Sequence, residues 1–134
     1  MPHVIETFSH LLDGARYDEA QALMSADCEY HYSEGNYAGA KAISNIWRQN
    51  HQQSVELFDE VAYDSEIEEL DETTFKLTLV DKFRLGDKWH ESLSYDLVTI
   101  EDGLITDIEH HEIAGEAERF RAFYVMHRER RATV

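Results

Sequence analysis

The stretch Thr74-Phe-Lys-Leu-Thr-Leu-Val-Asp-Lys-Phe-Arg-Leu85, Gly86-Asp87, Lys88-Trp-His-Glu-Ser-Leu-Ser-Tyr-Asp-Leu-Val-Thr-Ile100, Glu101-Asp102-Gly103, Leu104-Ile-Thr-Asp-Ile-Glu-His-His-Glu-Ile113 decides the fold. Apolar residues recur every second position in three runs. Two tight glycine turns, Gly86-Asp87 and Asp102-Gly103, separate them. This spacing predicts an antiparallel meander. A fourth strand is expected upstream over Val55 to Tyr63. Before it the apolar period changes to that of a helix. Val4 to Asp13 carries Val4, Ile5, Phe8, Leu11 and Leu12, stopped by Gly14. Tyr17 to Met24 repeats the pattern, Cys28 to Ser33 alternates as a short strand, Ser33 to Gly39 reads as a loop, and Ala40 to His51 is a third helix with Ile43, Ile46 and Trp47 on one stripe. Glu116 to Arg130 closes the chain as a helix.

Helices grouped ahead of a meander predict an α+β fold. A long sheet twists and curves. Wrapped around the three N-terminal helices, it gives a conical barrel with a C-terminal helix added. Such a cone makes a pocket, the usual place for small-molecule chemistry. The 134 residues suit one domain, 1–134, without repeat or linker.

Composition narrows the function. Asp and Glu number 28 against 12 Lys and Arg, a formal charge of −16. A nucleic acid or an anionic membrane would be repelled, so neither is an expected partner. No apolar run approaches the roughly 20 residues that span a bilayer. Met1-Pro2-His3-Val4-Ile5-Glu6 has neither a basic leader nor an apolar core. With Cys28 the single cysteine, a reducing cytoplasm is the expected compartment. Cys28 lies beside acids that raise its pKa, which makes an inert thiol the expectation. No metal is expected. His110 and His111 are adjacent on a strand and face opposite ways, and no His-Glu-x-x-His or cysteine pair occurs. No cofactor fingerprint is present either.

Three segments resemble the nuclear transport factor 2-like superfamily, also called SnoaL-like or cystatin-like. Asp27-Cys-Glu-Tyr-His-Tyr-Ser-Glu-Gly35 is similar to its first strand. Tyr37-Ala-Gly39-Ala-Lys-Ala-Ile43 resembles the opening of its third helix, and Asp102-Gly-Leu-Ile105 with Asp107-Ile108 its last hairpin. The resemblance covers roughly residues 4 to 113. It implies the cone, a homodimer joined through the outer sheet face, and any of several reactions, since members include isomerases, dehydratases, cyclases, epoxide hydrolases and pure binders. The family's ketosteroid isomerase has its catalytic aspartate where Tyr32 stands, its acidic oxyanion donor at Tyr95, and its tyrosine donor near Phe8. All three differ, so steroid isomerisation is not expected. The tyrosine of scytalone dehydratase matches Tyr32, and one of its histidines falls near Glu91.

Strand alternation then picks the inward set. Phe75, Leu77, Leu79, Phe83 and Leu85 share a face with Asp81, an unexpected carboxylate among apolar neighbours. Trp89, Leu93, Tyr95 and Leu97 share one with Glu91. Ile108, His110 and Glu112 share the last, turned inward by the family's register. The expected catalytic constellation is His110 as the proton-transferring group, Asp81 as its orienter, Tyr32 and Tyr95 as hydrogen-bond donors, and Glu91. Tyr30, Trp47, Trp89, Leu93, Ile108 and Glu112 are the expected ligand contacts. For each, an ordinary structural role is the alternative: a paired or rim carboxylate, a satisfied core histidine, an amphipathic wall tyrosine. The partner would be a small apolar organic molecule, either transformed by cofactor-free acid/base chemistry or only bound, as by a ligand-binding or dimerisation module. Glu56 to Glu72 holds nine acids and no Lys or Arg. It reads as a solvated hairpin, or as a face for a basic partner. Five arginines, Arg119, Arg121, Arg128, Arg130 and Arg131, collect near the C-terminus. There they suit the dipole of the closing helix, or would bridge to the acidic hairpin of a second subunit. That helix would cover the cone mouth or swap between subunits.

Overall fold

The computed structural model describes residues 3–132; Met1 and Pro2 of the expected leaderless start lie outside the described residues. The elements run α1 (Val4–Asp13), α2 (Tyr17–Gln21), β1 (Met24–Tyr32), β2 (Gly35–Ala38), α3 (Ala40–Leu57), β3 (Glu60–Glu69), β4 (Thr74–Leu85), β5 (Lys88–Glu101), β6 (Leu104–Glu112), α4 (Glu116–His127) and a 3₁₀ turn over Arg128–Arg130. One six-stranded sheet has the order β2-β1-β6-β5-β4-β3. Among the described residues only β1 and β6 run parallel; the other pairs are antiparallel, so the sheet is mixed. This is the predicted α+β architecture.

The helices fill the concave side because each carries an apolar stripe with nowhere else to go. Ile5, Phe8 and Leu11 of α1, Ala20 of α2 and Ile43 of α3 pack on Phe75, Leu77, Val98, Ile105 and Ile108 of the sheet. A second cluster, Phe58, Phe83 and Leu85, is covered by Val61 and by Phe120, Phe123 and Tyr124 of α4. The closing helix therefore packs on the sheet. No helix among the described residues is long and apolar enough to cross a membrane.

Several boundaries differ from the sequence reading; α2 ends at Gln21 rather than Met24, and β1 begins at Met24 rather than Cys28. Helix α3 continues to Leu57, because nothing in Gln52 to Leu57 breaks a helix. The alternation of Val55 and Leu57 imitates a strand, but both side chains are exposed; β3 starts later, at Glu60. The loop after β1 contains the short strand β2, paired with β1. Beyond α4, Asp59 gathers two distant amides. One of its carboxylate oxygens accepts from Gly86 N and Ala132 N, both at 2.8 Å, and Arg131 lies 3.9 Å from the other.

The acidic hairpin is exposed along most of its length. Arg84 pairs with Glu60 and Lys82 with Asp64 across β3 and β4. Of the C-terminal arginines, Arg119 pairs with Glu116, Arg130 approaches Asp87 and Arg131 approaches Asp59.

Candidate functional site

The helices do not fill the cone completely. A cavity of about 420 Å³ remains between them and the sheet, bordered by β3 to β6, Tyr30 of β1, the ends of α1 and α2, the middle of α3 and the start of α4. Its chemistry follows from register. In β4, Asp81 occupies the same face as Leu79 and Phe83 and points into this space. Tyr63 stands opposite it on β3 and Ser92 on β5. Two pairs further along, Asp96 of β5 lies opposite His110 of β6.

Asp96 and His110 form the tightest contact in the cavity. Nδ1 of the imidazole is 2.6 Å from Asp96 Oδ1, and Nε2 is 3.2 Å from Glu112 Oε1. Asp96 is 2% exposed, so its charge has no water to stabilise it and depends on the imidazole. Burial pushes the Asp96 carboxyl up, against the hydrogen bond and charge of His110. Burial works on His110 in the opposite sense and would lower it. The hydrogen bond and charge of Asp96, with Glu112 adding to them, win and hold it above its ordinary value. Tyr30 stacks on the imidazole with centroids 6.0 Å apart, and meets Trp47 edge-on at 5.8 Å.

Asp81 differs from Asp96 in having no hydrogen bond or ion pair with a described residue. Burial raises it to about 6; the nearby His110 charge opposes that, and Asp96 and Glu112 reinforce it. Three tyrosines surround this end. Burial pushes Tyr17 up to about 12 and raises Tyr30 and Tyr63 as well, so all three hydroxyls keep their protons. His51 is lowered by burial, and its Nδ1 is 2.7 Å from the Tyr63 hydroxyl.

The structure thus brings together His110, Asp81, Tyr30, Trp47 and Glu112 among the residues singled out from sequence. It corrects the facing of β5. The buried positions there are His90, Asp96, Val98 and Ile100, with Ser92 and Ser94 between. Trp89, Glu91 and Tyr95 are on the convex side, where Tyr95 stacks on His111 at 4.8 Å and Trp89 is 48% exposed. Leu93, on that same face, is exposed and reaches only the cavity border. Asp81 is not bonded to His110; Asp96 is. Tyr32 lies beyond the cavity, stacked on Tyr37 beside a second depression near the ends of β1 and β6. Ile108 is fully buried in the core rather than at the cavity wall. Asp96, Tyr17, His51 and Tyr63 were missed.

Cys28 is buried, and burial followed by the charges of Asp107, Asp27 and Glu29 pushes its thiol up to about 12. On the convex face Glu29, His31 and Asp107 bring one ligand atom each within 4.8 Å of one another, with His31 Nε2 bonded to Asp107 at 2.9 Å. This trio is on the far side of the sheet from the cavity.

The fold and its cavity define the class. The chain has the nuclear transport factor 2-like fold: a curled sheet closed at one end by helices. No family profile matches the sequence, and no curated protein matches it. Solved structures do. A candidate polyketide cyclase from Xanthomonas campestris superposes with a TM-score of 0.68 at 12% identity, covering 90% of this chain and 93% of that one. An epoxide hydrolase of the LEH-like kind from M. tuberculosis gives 0.68 at 14%, covering 92% and 90%. TerC, crystallised with polyporic acid, gives 0.67 at 13%, covering 91% and 95%.

Proposed function

We propose that the chain is a cofactor-independent acid/base enzyme for a small, largely apolar organic molecule bearing a carbonyl or hydroxyl group. The reaction class is isomerisation, dehydration or cyclisation. The observation that carries this is the Asp96–His110 pair, 2.6 Å apart, at the wall of the cavity. Asp96 accepts from Nδ1–H and fixes the tautomer, which leaves Nε2, resting against Glu112, as the nitrogen for the substrate once Glu112 is displaced. Neutral His110 takes a proton from the carbon next to the carbonyl. The C–H electron pair moves into an enolate, whose oxygen accepts a hydrogen bond from a tyrosine hydroxyl such as Tyr30. The imidazolium then returns the proton to another carbon, or to a departing hydroxyl that leaves as water. The solved cyclase- and hydrolase-like structures of this shape support the same class of occupant.

The direct test uses no natural substrate. Exchange of α-hydrogens of small aryl ketones in D2O, followed by proton NMR, is expected to be accelerated by the protein. His110→Asn is expected to remove about a hundredfold or more of that acceleration with the circular dichroism unchanged. Binding of a ketone without exchange rejects catalysis. It leaves the second reading, a binding module, which Glu112 favours by occupying Nε2 in the resting state.

The working assembly in this reading is a cytoplasmic homodimer joined through the convex sheet face. Lys76, Lys82 and Arg84 line β4 there, and Glu29, Asp107 and Glu109 line β1 and β6. A two-fold axis sets these unlike charges opposite each other. Light scattering at low salt is expected to give a dimer that Lys82→Glu with Arg84→Glu weakens. A monomer under all conditions rejects the dimer.

A further inference from the structure

The charges around the cavity do not balance. Among the described residues six carboxyl residues border it, and no lysine or arginine does. Five of the six have partners. Asp96 and Glu112 share His110, Asp13 accepts from the Ser65 hydroxyl at 2.8 Å, Asp64 faces Lys82 at 3.9 Å, and Glu116 holds Arg119 at 2.6 Å. Asp81 has none among the described residues, although it points into the cavity. An unpaired carboxylate in an apolar wall is costly and persists where something else satisfies it. The aromatic rings nearby narrow what that is. Trp47 lies 5.8 Å from Tyr30 and 6.2 Å from Tyr17, and these three rings line the same cavity as Asp81. Aromatic faces together with a carboxylate form a receptor for a cation.

We propose that the molecule taken by this cavity carries a positively charged amine nitrogen, seated between Asp81 and the rings of Trp47, Tyr17 and Tyr30. The proposal rests on the small-molecule reading above and adds the substrate class: an apolar, aromatic-sized amine, with its carbonyl or hydroxyl presented to His110. Asp81 is the anchor for the ammonium group and His110 the group that moves the proton. The same charge imbalance excludes carboxylate- or phosphate-bearing substrates, for which the cavity offers no lysine or arginine.

Three probes of one shape test this: 2-phenylethylamine, 2-phenylethanol and phenylacetate, titrated at physiological salt by calorimetry or NMR. The amine is expected to bind at least about tenfold more tightly than the alcohol, and phenylacetate not at all. In Asp81→Asn the amine is expected to fall to the affinity of the alcohol, whose own binding stays unchanged and reports an intact cavity. Asp81→Ser gives a second uncharged variant. Asp64→Asn, which removes a bordering charge elsewhere, is expected to keep the advantage of the amine and so excludes attraction by the general acidity of the protein. Equal binding of amine and alcohol, or an amine advantage that survives both Asp81 substitutions, overturns the proposal and leaves the small-molecule reading standing. Failure of all three probes to bind overturns both.

Discussion

Asp81 has a stability consequence that follows from its neighbours. Its carboxyl is raised from 3.8 to about 6. Below pH 3.8 folded and unfolded chains both hold the proton. Between 3.8 and about 6 the folded chain holds a proton that the unfolded chain has released, so stability falls as pH rises, and the loss is complete above 6. Asp81→Asn is therefore expected to raise the stability at pH 7 by up to about 3 kcal/mol, and the thermal midpoint with it, with little change at pH 3. Thermal melts at the two pH values check this. His110 is also raised, so its contribution is fully present below 6.5 and is lost as pH climbs through its folded value. Asp96→Asn removes the cause and is expected to shift the imidazole titration, followed by NMR, to lower pH. Both His110 and Asp81 were legible in the sequence because each interrupts an apolar alternation. Asp96 was not, since its own face of β5 carries His90, Ser92 and Ser94 ahead of Val98 and Ile100 and so reads as less apolar than the face of Trp89, Leu93, Tyr95 and Leu97.

At the level of elements, β5 shows which signal outranks hydropathy. Its outward face, Trp89, Leu93, Tyr95 and Leu97, is the more apolar one in sequence, and reading that face inward put Glu91 and Tyr95 in the wrong place. Hairpin geometry contained the right answer. The Gly86-Asp87 turn pairs Leu85 with Lys88, which sets Phe83 opposite His90 and Leu77 opposite Asp96. Cross-strand partners share a face, so an inward Phe83 requires an inward His90. Strands β4 and β6 had no such conflict, and their faces agree with the sequence reading. The turn itself is constrained. Gly86 has φ +61°, and an added Cβ would come within 2.7 Å of the Arg130 carbonyl oxygen. Gly86→Ala is expected to cost about 1–3 kcal/mol in urea unfolding, from strain and from displacement of the segment after α4.

Across the whole molecule, the formal charge of −16 sits on 134 residues whose acids are mostly at the surface. Self-repulsion of that size opposes compaction and is screened by salt. The thermal midpoint is expected to rise as sodium chloride goes from about 0.01 to 0.5 M, where the Debye length falls well below the spacing of surface charges. A midpoint independent of salt would show that local pairs such as Arg84–Glu60 already offset the repulsion. At this scale the fold was the most legible property, because glycine turns and the change from helical to strand period are local signals. The cavity was less so, since it depends on which strands become neighbours: Tyr63 and His51 meet only after β3 pairs with β4 and α3 lies across them.

The Asp59 clasp ties down the segment that follows a helix on the cavity border. Phe120 and Glu116 of α4 border the cavity. This helix follows Gly115, at φ +89°, and the segment beyond it is tied down by Ala132 N on Asp59. One end starts from a glycine in the left-handed region and the other is pinned to the body of the protein. For the small-molecule occupant proposed above, Asp59→Ala is expected to speed both association and release, followed by stopped-flow mixing with a bound probe, more than it changes the equilibrium affinity; residence time would then be set far from the proposed chemistry.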